Sequence, residues 1–142
     1  MYRIVLAVFL VLLAAPGVAS ASLDSFLGSV NVQARADLPG FHATVSAQFG
    51  VPVPQVEAVL GRVATPADAF MVFQLGQMAH RPPETVVQTY QTHKGKGWGV
   101  IAKELGIKPG SREFHALKTG DLVFGGAPAN GPGKGKGKGH SK

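Results

Sequence analysis

The stretch His93-Lys94-Gly95-Lys96-Gly97-Trp98 concentrates more chemically able side chains than any other part of the chain. Two lysines alternate with glycines just ahead of Trp98, Ile101, Ala102 and Leu105, an apolar set at helical spacing. Open backbone N–H groups at a helix start, two ammonium groups and an aromatic face together suit a phosphate, a sulfate or a carboxylate. Lys94, Gly95, Lys96, Gly97 and Trp98 are therefore the candidate anion-binding residues. The spacing is not G-x-x-x-x-G-K-[ST], so nucleotide hydrolysis is not implied. The same residues also read as a flexible connection followed by a core tryptophan, because Trp98 already belongs to the apolar stripe.

Catalytic and metal chemistry have less to build on. His42, His80, His93 and His115 lie in the body of the chain and His140 near its end, none of them four residues from another histidine. No metal site, cofactor or catalytic residue is assigned from this pattern. Ser111 and His115 are four apart, as a nucleophile and its base on one helix face would be, but Ser111 also suits a helix cap. Asp24, Glu57, Asp68, Glu84 and Glu113 are each expected in a helix first turn, where the dipole favours negative charge. That leaves Asp37, Glu104 and Asp121, with nothing marking two of them as an acid–base pair. Ile101-Ala102-Lys103-Glu104-Leu105-Gly106-Ile107, followed by Ser111 to Lys118, has the outline of a helix-turn-helix. Arg112 stands where that motif wants an apolar residue, and a plain helix corner requires the same glycine.

The chain carries 14 Lys and Arg against 8 Asp and Glu. Four of the bases, Lys134, Lys136, Lys138 and Lys142, fall in a Gly-Lys repeat at the end, and Arg3 stands at the beginning, so residues 22–127 hold 9 bases against 8 acids. A nearly neutral body thus carries a basic tail, and the sequence pI near 9.9 reflects the tail. Residues 128–142 lack the apolar side chains that offset ordering entropy and are expected to be disordered. Their lysines can tether polyanions in a salt-sensitive way or simply keep the chain soluble. With no cysteine in the sequence, disulfides, thiolate metal sites and thiol nucleophiles are excluded.

The elements that must position these groups are helices. Leu23, Phe26, Leu27 and Val30 repeat at i, i+3, i+4, i+7, and so do Val56, Val59, Leu60 and Val63. Another helix is expected from about Pro39 to Gln48, turning Phe41, Val45 and Phe49 inward. Thr65-Pro66-Ala67-Asp68 resembles a capping box with proline at the first helical position. Behind it, residues 69–79 are apolar nearly all round, which predicts a central helix packed on several sides. Pro82-Pro83 ends that helix and starts the next, which presents Val86, Val87 and Tyr90. Gly106 suits a left-handed helix end and Ser111 the cap of a last short helix. No alternating run is long enough for a strand. The expected fold is all-α, a compact irregular bundle of six or seven short helices over residues 22–127.

Arg3, the 12-residue apolar run Ile4 to Ala15, Pro16-Gly17 and the small residues Ala19-Ser20-Ala21 read as a secretory signal peptide over residues 1–21. The run is shorter than the ~20 residues that span a bilayer as a helix, so cleavage after Ala21 is expected in place of anchoring. About 121 residues would remain, enough for one domain in the periplasm or outside the cell.

GKGWGVIAKELGIKPGSREFHALK, with FGVPVPQVEAVL and PADAFMVFQLGQM, resembles a family of small exported bacterial proteins of uncharacterised function, over most of residues 23–120. The resemblance implies an exported helical domain with a Gly- and Lys-rich tail, and no activity or site. The residues point first to a non-enzymatic binding or interaction protein. Its partner would be an anionic polymer (lipopolysaccharide, cell-wall polymer or extracellular nucleic acid) or another protein. An envelope enzyme whose site is assembled by tertiary structure is the alternative, and a helix-turn-helix nucleic-acid binder a third reading.

Overall fold

A computed structural model of the chain describes residues 18–128, with side chains over 23–126. The signal-peptide residues 1–17 and the tail from residue 129, including Lys134, Lys136, Lys138 and Lys142, lie outside the described residues. Seven helices follow one another among the described residues: α1 (Val18–Ala36), α2 (Leu38–Phe49), α3 (Val53–Leu60), α4 (Pro66–Ala79), α5 (Pro83–Thr92), α6 (Trp98–Glu104) and α7 (Arg112–Thr119). The fold is all-α, apart from one short hairpin. None of these helices is long and apolar enough to cross a membrane. Helix α1 runs through the Ala21–Ser22 bond, so cleavage there would remove only its first residues and leave the core-facing Phe26 and Val30 within it.

Helix α4 is the centre. Its residues 69–76 are all buried, and α1, α2, α3 and α5 pack around it. A helix apolar on every side can be satisfied only in this way, since any exposed flank would leave Phe70, Met71 or Leu75 in water. Phe70 meets Phe26, Phe49 and Phe124 at ring-centroid distances of 5.3, 5.6 and 5.8 Å, tying α1, α2 and the hairpin to α4. Helix α7 packs on α1 and α6 through buried Phe114 and Leu117.

Local chemistry sets the helix ends. Pro39, in the first turn of α2, has no N–H to continue the α1 ladder, and Asp37 caps α2 by accepting from the Gly40 N–H at 3.0 Å. Thr65 accepts from the Asp68 N–H at 3.2 Å, and Asn31 of α1 accepts from the Ala67 N–H at 2.8 Å, so the start of α4 is capped twice. At the end of α6, Gly106 adopts φ 95° and the Ile107 N–H reaches back to the Ala102 carbonyl at 2.9 Å, closing a Schellman-type turn. The apolar spacing in α3 extends to Val63, but the helix stops at Leu60, and Val63 packs on the core from the following loop.

Two local expectations are corrected. Asp24 lies well inside α1 and Glu57 in the second turn of α3, so neither is a first-turn acid; Asp68, Glu84 and Glu113 are. A strand pair is also present, β1 (Val123–Phe124) with β2 (Ala127–Pro128), antiparallel with Val123 opposite Pro128. Two-residue strands are too short to show alternation, but Gly125 and Gly126 at φ 73° and 85° give the two positive φ values of a type I′ turn. Pro128, the first residue assigned to the tail, is thus paired. Gln48 of α2 holds the hairpin with both ends of its amide, donating to the Val123 carbonyl and accepting from the Gly125 N–H, each at 2.8 Å.

Candidate functional site

Helix α5 ends on the His93-to-Gly97 turn, which swings the chain round into α6. His93 fastens that turn: its Nδ1 lies 3.0 Å from the Thr89 carbonyl and its Nε2 3.8 Å from Glu104 of α6. Gly97 caps α6 at φ 92°, ψ 158°, a backbone region that is essentially glycine's alone, and no side chain caps the helix. Its residue type is explained by the turn itself.

Next to the turn lies a concavity of about 310 Å³, lined by Lys94, Gly95, Gly97 and Trp98 from the turn, Tyr90 from α5 and Asp68 from α4. Lys96 is exposed and is not among the lining residues. Trp98 is partly buried; its indole stacks on the buried Tyr90 ring with centroids 5.4 Å apart and planes 26° from parallel. Trp98 is therefore a fixed wall with an accessible part, neither wholly core nor wholly surface.

Tyr90 orders the back of this cleft. Its hydroxyl accepts from the Ala64 N–H and donates to Asp68 Oδ2, both at 3.1 Å, joining α5 to the start of α4. Burial pushes the Tyr90 hydroxyl above its ordinary value of 10.0; the adjacent Asp68 carboxylate pushes the same way, while the Ala64 N–H favours the phenolate. Asp68 and Tyr90 are separated from Lys94 in sequence or in element, and no motif announced that they would face it.

The other candidate residues do not converge on this cleft. Ser111 Oγ accepts from the Phe114 N–H at 3.1 Å and donates to the Lys108 carbonyl at 2.7 Å, which is a helix cap; no hydrogen bond joins it to the His115 ring among the described residues. Asp37 is occupied as the α2 cap and borders a separate concavity of about 310 Å³ between Gln33, Phe41, Thr44 and Phe124. His42 Nδ1 lies 3.4 Å from Glu57, and its buried Nε2 has no hydrogen-bond partner, a pairing between α2 and α3 that the sequence did not indicate. His80 closes α4 in the left-handed region at φ 55°. Among the described residues, no three His, Asp or Glu side chains gather as metal ligands. On α7, exposed Arg112 and Lys118 alternate with exposed Glu113 and His115, so the would-be recognition helix shows mixed charge.

Comparison with other proteins adds no identity to this geometry. No family model matches the chain, and no curated protein or solved structure matches it.

Proposed function

We propose that this is an exported, non-enzymatic binding protein whose contact region is the cleft at the α5–α6 corner, with Lys94 and Trp98 as its principal contacts. One observation carries the reading: the loop singled out by its residue types borders a concavity, where an ammonium group and an immobilised aromatic ring share one opening. An enzyme would need two or more of the candidate acids, bases and nucleophiles to share a cavity. Asp37 and Ser111 are engaged as helix caps, and His93 with Glu104 braces the turn. In addition to the cleft, the basic tail acts as a salt-sensitive tether for anionic polymers of the envelope, such as lipopolysaccharide. Export rests on the sequence of residues 1–21, and the secreted chain should begin at Ser22 when its N-terminus is sequenced.

The test is binding of residues 22–142, and of a version ending at Pro128 so that the hairpin is kept, to lipopolysaccharide and to DNA over a range of salt. Retention of salt-sensitive binding by the shorter chain, and its loss in Lys94→Gln, supports the cleft. Binding that vanishes with the tail would make the cleft irrelevant to these polymers.

A further inference from the structure

We propose that the cleft is built for a ligand carrying an ammonium group as well as an anionic group, held on a compact frame with one apolar face. This deepens the reading of the cleft as an anion-contacting site and rests on it. Asp68 and Lys94 line the same concavity with opposite charges, yet they are not paired with each other. The carboxylate contacts with basic side chains among the described residues are His42–Glu57, Arg62–Glu84 and His93–Glu104. One carboxylate oxygen of Asp68 receives the Tyr90 hydroxyl at 3.1 Å, and among the described residues no donor reaches the other. The Thr65 cap on its backbone N–H and the Tyr90 bond on its side chain hold Asp68 in place, so its charge stays at the edge of the cleft. A purely anionic guest would gain Lys94 but face this carboxylate, whereas a purely cationic one would gain Asp68 and face Lys94. Only a guest with both charges meets a partner at each end. Trp98 lines the same concavity and, stacked on Tyr90, offers it a flat wall suited to the apolar face of a sugar ring or to an ammonium placed over the indole.

The test uses residues 22–142 and three small probes on one sugar frame: glucosamine 6-phosphate with both charges, N-acetylglucosamine 6-phosphate with the anion alone, and glucosamine with the ammonium alone. Affinities are read from the fluorescence of Trp98, the only tryptophan in the chain. Glucosamine 6-phosphate should bind about twofold to fivefold more tightly than either single-charge probe, the ratio expected for one partly exposed charge contact. Asp68→Asn, which keeps an acceptor for the Tyr90 hydroxyl, should lower its affinity to that of N-acetylglucosamine 6-phosphate and leave the latter no weaker. The comparison among probes on the unmodified chain stands even if that variant folds poorly. Equal or tighter binding of N-acetylglucosamine 6-phosphate would overturn the two-charge inference while leaving an anion site intact. No response of Trp98 to any of the three would overturn both.

Discussion

Helices α4 and α6 turn their first residues toward one concavity, yet they begin in opposite ways. At α4, Thr65 and Asn31 cap consecutive backbone N–H groups, Pro66 has none to satisfy, and nearly every side chain that follows is buried. At α6, Gly97 supplies only a backbone conformation, no side chain caps the helix, and Trp98 at its first position is partly exposed. The first start is closed by side-chain hydrogen bonds from the protein itself, and the second has none. The contrast teaches how stability is distributed: α4 is the organiser of the core, and the α6 corner, where we propose that recognition takes place, contributes less to holding the fold.

The separation is most easily broken at the centre. Phe70→Ala removes a fully buried ring that meets three others, and should cost about 3–5 kcal/mol in urea unfolding, with loss of the cleft as a consequence of unfolding. A loss below about 1 kcal/mol would mean that α4 is not the organiser. On the other side of the contrast, Gly97→Ala forces a Cβ into the φ 92° conformation and should cost on the order of 1–3 kcal/mol. If this variant is as stable as the parent, the α6 start is not held in the conformation described.

Tyr90 joins the two regions and sharpens the comparison through pH. Its pKa is raised on folding, so folding favours the neutral hydroxyl; its contribution should be complete below pH 10 and fade as pH rises from the ordinary value of 10.0 through the folded one. Tyr90→Phe should lower stability near neutral pH by about 0.5–1.5 kcal/mol, by removing the hydroxyl's bonds to the Ala64 N–H and the Asp68 carboxylate, and should flatten the alkaline loss. Thermal unfolding of both proteins between pH 7 and pH 11 measures each effect.

Smaller effects separate capping from binding. Thr65→Ala should destabilise by about 1 kcal/mol in chemical denaturation and, because the Tyr90 hydroxyl still holds the Asp68 carboxylate, should weaken the cleft less than Asp68→Asn does. Lys94→Gln should do the reverse, shifting stability by less than about 0.5 kcal/mol while weakening the anion contact. A Lys94 variant that unfolds easily would erase the distinction.

Much of the helical framework was legible because its signals are local. Thr65-Pro66-Ala67-Asp68, Gly106 with Ile107, and Ser111 each carry a cap or a turn within a few residues, and each forms as its side-chain chemistry dictates. Asp24 and Glu57 were misplaced because a carboxylate's position relative to a helix start depends on where that helix begins: α1 starts at Val18, ahead of the stripe that opens at Leu23, and α3 starts at Val53, one residue before Pro54. The hairpin escaped notice because two-residue strands leave no periodicity, and only Gly125-Gly126 hinted at it. At the cleft, the turn residues were visible as a run, whereas Asp68 and Tyr90 reach it only through the packing of α4 on α5. Long-range placement of this kind leaves no spacing to read. Lys96 shows the opposite limit, since belonging to the run did not bring it to the wall.

The central claim, that the α5–α6 cleft is where this protein meets its ligand, is tested most directly by following Trp98 emission in residues 22–142 during titration with glucosamine 6-phosphate, alongside Lys94→Gln. The account predicts a saturable change in the parent that is weakened in the variant, whose unfolding midpoint stays the same. A parent whose Trp98 emission never changes, or a variant that responds identically, would contradict it.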